Sequence, residues 1–160
     1  MENVHAWILN GPNLNLLGVR EPEIYGHQSM ADILEQIQAE FPNDRVSYFQ
    51  TNHEGEMIEK IQTWVHPVGL GDDQQVPNFI LLNAGAWSHT SVAIADAVAM
   101  LKIPVFEVHL SHPPARESFR RVSPLSGYCH GYISGFGAES YRMAYRGARA
   151  RCGYGLFPTH

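Results

Sequence analysis

An arginine and a tyrosine near the amino terminus, Arg20 and Tyr25, have the types and the spacing for acid–base chemistry. A free phenol has a pKa of roughly 10 and is a poor base at neutral pH, but a guanidinium within a few ångströms favours the phenolate and lowers that pKa. Pro22 and Gly26 allow the chain to turn here and to bring the two side chains together. We therefore expect Tyr25 to be a general base activated by Arg20. The alternative is a surface tyrosine beside a solvated arginine.

The stretch around these two residues, 10–26, is predicted to be irregular rather than helical. It follows an apolar run, Val4 to Leu9, that is typical of a strand. Glycines and prolines interrupt every turn of it, and it carries several side-chain amides, including that of Asn13. A long irregular segment inside a compact domain is uncommon and is often a lid over a site. We expect a lid at about residues 19–26.

A polar segment follows the continuous apolar run 79–82, which is typical of a strand covered on both faces. It contains Asn83, Gly85 and His89 and leads into a small-residue helix predicted over 91–101. Asn83 and Gly85 are either ligand-binding residues or ordinary turn residues at a strand end. Asp96 lies in the middle of that otherwise apolar helix. It is either a capping or ion-pair residue or a group that contacts a neighbouring subunit.

A carboxylate and an imidazole, Glu107 and His109, lie two residues apart in the apolar run 104–110. Alternate residues of a strand point to the same side, so Glu107 could orient and charge the imidazole, as a general acid requires. Ser111 continues the same face. The alternative for His109 is a core histidine whose hydrogen bonds are satisfied.

Two arginines, Arg116 and Arg120, have i, i+4 spacing in a segment, 115–121, that predicts a short helical turn. One face of that turn would present both guanidinium groups to a carboxylate or to hydroxyl groups. The alternative is a solvated face.

Apolar runs and helical stripes alternate along the whole chain. Strands are predicted around 4–9, 46–49, 79–82, 104–110 and 132–133, and helices over 30–41, 57–65, 91–101 and from near 137. Ser29-x-x-Asp32 and Thr51-x-x-Glu54 resemble helix caps. A surface loop is predicted at 66–78 and a tail at about 149–160.

This alternation predicts one α/β catalytic domain over residues 1–160. The simplest arrangement is a flavodoxin-like doubly wound five-stranded parallel sheet, of order 2-1-3-4-5, with helices on both faces. In such sheets ligands bind beyond the carboxyl ends of the strands, where the polar segments described above converge. Their amides, imidazoles and guanidinium groups suit a small, polyhydroxylated, anionic ligand.

Composition excludes several classes of protein. The chain has 160 residues, 44% apolar and 17% charged, as a folded globular protein has. Its net charge of −5 and the absence of a basic run argue against a nucleic-acid partner. No apolar run reaches membrane length and no secretion signal is present, so we expect a cytoplasmic protein without a membrane partner. The nine histidines lack helical metal-ligand spacing, and Cys129 and Cys152 are too far apart for a thiol motif.

Several motifs are specific in combination and occur in one order. They are Asn10-Gly-Pro-Asn-Leu-Asn-Leu-Leu-Gly, Arg20-Glu-Pro-x-x-Tyr25-Gly, Asn83-Ala-Gly…His89-Thr-Ser, Glu107-Val-His-Leu-Ser111, Arg116-Glu-x-Phe-Arg120 and Gly135-Phe-Gly-x-x-Ser-Tyr141. In these motifs the chain resembles the type II 3-dehydroquinate dehydratases (type II dehydroquinases), from about Val4 to Arg146. The lid motif together with Glu-Val-His-x-Ser carries most of the specificity.

The resemblance implies reversible anti dehydration of 3-dehydroquinate to 3-dehydroshikimate through an enolate, with neither a metal nor an organic cofactor. The reaction would serve the shikimate pathway (aromatic amino-acid biosynthesis) or quinate catabolism. Carried over by matching position, Tyr25 would remove the proton next to the ketone, with Arg20 favouring its phenolate. Asn13 would hold the water that stabilises the enolate oxygen. His109, held by Glu107, would protonate the departing hydroxyl.

The resemblance also implies how the substrate is held. Asn83 and the backbone amides of Leu110 and Ser111 would bind the substrate carboxylate. The ring hydroxyls would be bound by three residues, His89, Arg120 and Asp96. Asp96 would reach in from an adjacent subunit of a homododecamer, a tetramer of trimers. Arg116 would be a second arginine beside the lid.

Other functions fit the sequence less well. A Schiff-base route, as in the unrelated type I enzymes, needs a buried lysine, and the chain has only Lys60 and Lys102, neither at the carboxyl end of a strand. A non-catalytic flavodoxin-like module remains the rival from another class. A phosphoacceptor receiver would have acidic residues after the first strand, and a flavin binder would have a hydroxyl-rich loop there; this chain has asparagines.

Two departures from the family pattern bear on the site. Family members commonly have an asparagine after the serine at position 111, where this chain has His112. That change could alter the turn that leads to Arg116 and Arg120. The loop at 66–78 also looks longer than usual. An inactive relative would be expected to have lost Tyr25 or His109, and both are present.

Overall fold

The computed structural model describes residues 3–65 and 75–155. They contain one parallel sheet of strands β1 (His5–Asn10), β2 (Arg45–Gln50), β3 (Phe79–Asn83), β4 (Val105–His109) and β5 (Gly131–Ser134). Its order is β2-β1-β3-β4-β5, which confirms the predicted flavodoxin-like topology. The predicted loop at 66–78 falls mostly on residues 66–74, outside the described part of the chain.

Six α-helices accompany the strands in the described residues. They are α1 (Pro22–Tyr25), α2 (Met30–Glu40), α3 (Glu54–Gln62), α4 (Trp87–Thr90), α5 (Val92–Ala99) and α6 (Glu139–Arg151). None of the helices in the described ranges is long and apolar enough to cross a membrane.

Only one of the two predicted helix caps is present. Ser29 and Asp32 form a reciprocal capping box at the start of α2, which confirms that prediction. The cap predicted at Thr51 is wrong, because the N-cap of α3 is His53, two residues further along the chain. The Thr51 hydroxyl accepts a hydrogen bond from the His53 N–H at 3.0 Å, and this local turn uses the hydroxyl before the helix starts.

The core has two layers, one on each face of the sheet. Helices α2 and α6 cover one face, where Ile8, Leu81 and Val108 pack with Tyr145. The residues that alternate with these along the strands face α3 and α5 on the other side. Both faces of β3 and β4 are therefore buried, as the apolar run 79–82 predicts.

A buried ion pair joins α6 to the amino end of the sheet. Arg149 Nη1 binds Asp44 Oδ2, and the Tyr145 hydroxyl donates to the same carboxylate oxygen at 3.0 Å. The boundary predicted for the tail is therefore wrong, since Arg149 belongs to a buried part of α6 and the helix continues to Arg151. The sequence does not indicate that Arg149 is buried, because arginines at 146, 149 and 151 are typical of a solvated helix end.

The carboxyl ends of β1 and β3 approach each other closely. Asn10 is paired in register with Asn83, and the Gly11 N–H donates to the Asn83 carbonyl at 2.8 Å. A Cβ at position 11 would lie 2.5 Å from the Ala84 carbonyl oxygen, so only glycine allows this approach. The two polar segments that follow these strands are consequently held side by side.

Candidate active site

A cavity lies at the carboxyl edge of the sheet, where the sequence predicts a site. Most of the predicted site residues line it: Asn13, Arg20, Tyr25, Asn83, His89, His109, Leu110, Arg116 and Arg120. Its wall is completed by apolar residues of the segments that follow β1 and β4, among them Leu14 and Pro113. Catalytic candidates from the lid, from β3 and from β4 therefore face one space.

The stretch 10–26, which includes the lid, is folded into short turns and is not wholly irregular. A 3₁₀ turn, Leu14–Leu16, is followed by the single helical turn α1, which starts at Pro22. Proline at the first helical position needs no hydrogen-bond donor, and Glu21 before it adopts a left-handed conformation with φ 39°. Tyr25 is the last residue of this turn, so its ring extends from a structured segment.

Two arginines flank the ring of Tyr25. The guanidinium carbon of Arg20 lies 5.4 Å from the ring centroid, which confirms that the lid brings the two together. The group on the phenol oxygen is a different one, since Arg116 Nη1 donates to Tyr25 Oη at 3.0 Å. Arg20 Nε instead lies 3.4 Å from a carboxylate oxygen of Glu21. The direct hydrogen bond to the phenol is therefore made by Arg116, which the family resemblance implies only as a second arginine beside the lid.

The segment after β4 contradicts the predicted single helical turn. It forms two 3₁₀ turns, Pro113–Ala115 and Ser118–Arg121, with Arg116 in an extended link between them. Pro113 and Pro114 occupy the first two positions of the first turn, where proline is favoured, and Glu117 at ψ 146° precedes the second turn. Arg116, between the turns, and Arg120, in the second turn, both line the cavity, and Glu117 pairs with each of them. Both arginines therefore reach the cavity in a chain that has His112 where family members commonly have asparagine.

Glu107 and His109 form the predicted pair. Glu107 Oε1 accepts a hydrogen bond from His109 Nε2 at 2.7 Å, and both side chains are buried. Two serines from the segment between β4 and β5 also donate to this carboxylate, Ser123 at 3.1 Å and Ser126 by a short contact. Burial raises the pKa of Glu107, but the hydrogen bonds from His109, Ser126 and Ser123 outweigh it and hold that pKa below its usual value.

An ionised Glu107 determines the orientation of His109. A carboxylate only accepts hydrogen bonds, so the His109 nitrogen that faces it, Nε2, carries a proton. The Ser88 hydroxyl lies 3.4 Å from the same nitrogen. Nδ1 is then the ring nitrogen that Glu107 does not hold.

His89 is fixed in a similar way by a backbone carbonyl. Its Nδ1 lies 2.8 Å from the Val122 carbonyl oxygen, which can only accept, so Nδ1 is the donor. The neutral ring then presents Nε2 as an acceptor for a hydroxyl group. The His89 ring also stacks with that of His109 at 6.2 Å between centroids, with 20° between the planes. The two imidazoles therefore occupy adjacent positions in the site.

Residues at the ends of β3 and β4 are held by hydrogen bonds to neighbouring segments, and of the three predicted there, Asn83 and Leu110 line the cavity whereas Ser111 does not. The Asn83 side chain lines the cavity, and its Oδ1 accepts from the Gly85 N–H at 3.1 Å. The Leu110 carbonyl accepts from the Gly137 N–H at 2.9 Å. Because a trans peptide directs its N–H opposite to its C=O, that bond turns the Ser111 N–H away from Gly137. The Ser111 hydroxyl, on the same residue, accepts from Arg116 Nη1 at 3.4 Å.

Asn13 lies at the rim of the cavity in a left-handed conformation with φ 68°. Its N–H donates to Asn52 Oδ1 at 2.9 Å, and Gln50 Nε2 donates to the same oxygen at 3.1 Å. The loop after β1 is thereby tied to the end of β2, and the Asn13 side chain is left exposed. Asparagine tolerates this backbone conformation better than most residues do.

Three other predicted or excluded residues lie away from the cavity. Asp96 lies in the middle of α5 with an exposed side chain, so it caps no helix. Lys60 packs over the ring of Trp7 at 3.7 Å, and neither it nor Lys102 lines the cavity. The Schiff-base route therefore has no lysine in this site. In the described ranges, no group of three His, Cys, Asp or Glu side chains could hold a metal ion.

Three serines that contact the Glu107–His109 pair are not predicted from the sequence. Ser88, Ser123 and Ser126 touch Glu107 or His109, but they lie 16 to 21 residues from their partners. No local pattern links them to β4. A pair of serines three residues apart ahead of a strand is the only available signal, and it is equally typical of a turn.

Comparison with known proteins gives consistent matches over nearly the whole chain. A family model for class II dehydroquinase matches residues 4–149. The 3-dehydroquinate dehydratase of Dinoroseobacter shibae is 48% identical over 146 residues, covering 90% of this chain and 91% of that protein. That of Pelodictyon phaeoclathratiforme is 47% identical over 139 residues, 87% of each chain. The type II dehydroquinase structure from Butyrivibrio crossotus matches with a TM-score of 0.82 at 36% identity, covering 92% of this chain and 98% of that one.

The hydrogen bonds to Glu107 lead to a prediction about stability and pH. Because the folded pKa of Glu107 is lowered, its ionised form contributes stability that is fully present above its unfolded pKa and is lost as the pH falls through the folded pKa. Ser126→Ala removes one donor and should lower the free energy of unfolding by about 1–3 kcal/mol at neutral pH. The difference from the wild type should shrink as the pH is lowered below about 5, near the titration of an unfolded glutamate.

Urea unfolding at a series of pH values measures this difference. Ser118→Ala is the matched control, because Ser118 is exposed and does not contact Glu107. Ser118→Ala should change the free energy of unfolding very little at any pH. A destabilisation by Ser126→Ala that is the same in acid and at neutrality would show that the serine packs well but does not hold the carboxylate ionised.

Proposed function

This chain belongs to the class II dehydroquinase family, and we propose that it dehydrates 3-dehydroquinate to 3-dehydroshikimate reversibly, by anti elimination through an enolate. The observation that carries the proposal is that one cavity is lined by Tyr25, whose phenol oxygen is bound by Arg116, and by His109, which is held by Glu107. A base and an acid that reach one ligand from two elements are what this elimination requires.

The first step is removal of the proton on the carbon next to the ketone. Tyr25 takes that proton as a phenolate, and the electron pair of the broken C–H bond moves to the ketone oxygen. The hydrogen bond from Arg116 favours the phenolate, and the charge of Arg20 beside the ring adds to this. The Asn13 side chain, at the rim of the cavity, stabilises the enolate oxygen, with a water between them as the family resemblance implies.

The second step expels the hydroxyl group on the next carbon. The enolate returns its electron pair, the carbon–carbon double bond forms, and the carbon–oxygen bond breaks. His109 gives the leaving oxygen a proton, so that water departs. The Glu107 carboxylate at 2.7 Å stabilises the imidazolium before this transfer and orients the ring during it.

The remaining cavity residues hold the substrate. Its carboxylate binds Asn83 and the backbone N–H groups of Leu110 and Ser111. Its ring hydroxyls bind His89 and Arg120, and His89 offers Nε2 as an acceptor because Val122 holds Nδ1. The same chemistry serves aromatic biosynthesis through shikimate and breakdown of quinate, and we propose one of these two roles for the enzyme.

The base assignment is tested by Tyr25→Phe. We expect its kcat to fall by about 10²- to 10⁴-fold, the usual contribution of a general base, while the substrate still binds. The appearance of the conjugated enone is followed by its ultraviolet absorbance. Tyr128→Phe is the control, since Tyr128 is exposed and lies outside the cavity. Turnover by Tyr25→Phe at the wild-type rate would remove Tyr25 as the base, and no turnover by the wild type would contradict the proposed function.

The two arginines are expected to contribute unequally. Arg116→Met removes a charged hydrogen bond to the phenol oxygen, worth about 1.5–3 kcal/mol, and should lower kcat by about 10- to 100-fold. Arg20→Met removes a cation–π contact of about 0.5–1 kcal/mol and should lower kcat only a few-fold. Steady-state kinetics on both variants measure the ratio. A loss in Arg20→Met that equals or exceeds the loss in Arg116→Met would assign the activation of Tyr25 to Arg20.

We also propose that the enzyme is a homododecamer, a tetramer of trimers, in which Asp96 contacts the substrate of an adjacent subunit. Asp96 is exposed on α5 and lies outside its own cavity, and exposed Val92 and Met100 lie one turn to either side of it. Asp96→Ala should then raise KM by about tenfold, the cost of a charged hydrogen bond, whereas Glu35→Ala, at an exposed position of α2, should not. Sedimentation of an active monomer, with KM unchanged in Asp96→Ala, would contradict this arrangement.

A further inference from the structure

We propose that Tyr141 is a positioning residue that, together with the Gly85 N–H, holds the Asn83 amide in the orientation in which Asn83 presents a hydrogen-bond donor to the substrate carboxylate. The inference rests on the proposed function, which gives that carboxylate to Asn83. Tyr141 lies on α6, is fully buried and does not line the cavity. It acts on the substrate only through its neighbour.

The Tyr141 hydroxyl joins two asparagines that end adjacent strands. It accepts a hydrogen bond from Asn83 Nδ2 at 2.9 Å and donates its own proton to Asn10 Oδ1 at 2.7 Å. The Asn10 amide continues the chain of hydrogen bonds to the Tyr48 hydroxyl, 3.4 Å from Asn10 Nδ2. These groups lie beneath the cavity, on the face of the sheet that α2 and α6 cover.

A backbone group fixes which atom donates and which accepts in this run of hydrogen bonds. Gly85 N–H can only donate, and it donates to the side-chain oxygen of Asn83 at 3.1 Å. The nitrogen of the Asn83 amide must therefore be the atom that faces Tyr141. A phenol has a single proton, and since Asn83 already donates to it, that proton goes to Asn10 Oδ1. The opposite orientation of the Asn10 amide would turn Nδ2 toward Tyr141 and leave the buried hydroxyl proton without an acceptor.

The consequence concerns the second hydrogen of Asn83 Nδ2. The first hydrogen points down to Tyr141, and the oxygen is engaged by Gly85. Because the amide is planar, the second hydrogen is the polar group that Asn83 offers to the cavity it lines. A donor suits a carboxylate, and an inverted amide would present an oxygen that repels it. Burial raises the pKa of Tyr141, so the hydroxyl keeps its proton and the direction of the chain does not change near neutral pH.

The chain offers an unusually close control in Tyr145. It lies one helical turn further along α6, is also fully buried, and donates its hydroxyl to Asp44 Oδ2 at 3.0 Å. Asp44 precedes β2, at the amino edge of the sheet, opposite to the cavity. Tyr145→Phe therefore removes one buried hydroxyl and its hydrogen bond from the same helix without touching a site residue.

The experiment compares KM and kcat for the wild type, Tyr141→Phe and Tyr145→Phe, with urea unfolding to show that each variant is folded. In Tyr141→Phe the amide loses its lower partner and can turn about a soft torsion, so we expect KM for 3-dehydroquinate to rise about tenfold with kcat changed less than threefold. Tyr145→Phe should lower stability and leave both constants near those of the wild type. Equal KM values in the two variants would overturn the inference.

A second variant covers the case in which Tyr141→Phe does not fold. Asn10→Ala removes the acceptor at the far end of the same chain of hydrogen bonds, while the Tyr141 ring still fills its place. The freed hydroxyl proton can then turn toward Asn83 and compete for its orientation, so KM should rise here too, by a smaller factor. An unchanged KM in folded Asn10→Ala would count against the inference. Absence of turnover in the wild type would be a failure of the proposed function and not of this step.

Discussion

Polar groups at the carboxyl edge of the sheet are buried, and this burial is the constraint on which the geometry of the site depends. Glu107, Asn10 and Asn83 are at most 2% exposed. A buried carboxylate or amide without partners costs several kcal/mol, so each must be paired with a group of the right polarity. Every such pairing fixes an orientation. The Glu107 carboxylate fixes which nitrogen of His109 is held, and the Gly85 N–H fixes which atom of the Asn83 amide faces Tyr141.

The groups that orient these buried side chains lie on both faces of the sheet. Glu107 and His109 point toward the layer that contains α3 and α5, and the segment with Ser123 and Ser126 closes over them from the same side. Asn10 and Asn83 point toward the opposite layer, where α6 supplies Tyr141. His109, the proposed acid, and Asn83, the amide proposed to bind the carboxylate, are therefore supported by separate sets of partners. They meet only at the cavity, where strand ends from both faces converge.

The sequence predicts local features and topology well, because both follow from periodicity and short-range chemistry. The alternation of apolar runs predicts the sheet order, and the spacing of Glu107 and His109 predicts their contact, since alternate strand residues share a side. The prediction for Thr51 fails because two local uses of one hydroxyl compete, a turn and a helix cap. The predicted helical turn over Arg116 and Arg120 is wrong because the backbone leaves the helical region at Arg116 and Glu117, so no single helical face carries both arginines.

Contacts between segments that are distant along the chain are not predicted by the sequence pattern. Arg116 lies 91 residues from Tyr25 and Tyr141 lies 131 residues from Asn10, and no periodicity connects such positions. The sequence predicts a guanidinium near the phenol and selects the nearer one along the chain, Arg20. The fold supplies a second from the segment after β4. Family resemblance identifies the residues that form the cavity, but the partners that orient them are found only when the backbone is in place.

Arg116 connects the lid to the segment that follows β4. One of its nitrogens contacts both the Tyr25 phenol and the Ser111 hydroxyl, so a single guanidinium bridges α1 and the end of β4. In the proposed reaction this contact places a guanidinium charge at the phenol oxygen that accepts the substrate proton. The same contact holds Tyr25 at the cavity that His109 and Asn83 also line. One hydrogen bond therefore serves both the proposed activation of the base and its placement in the site.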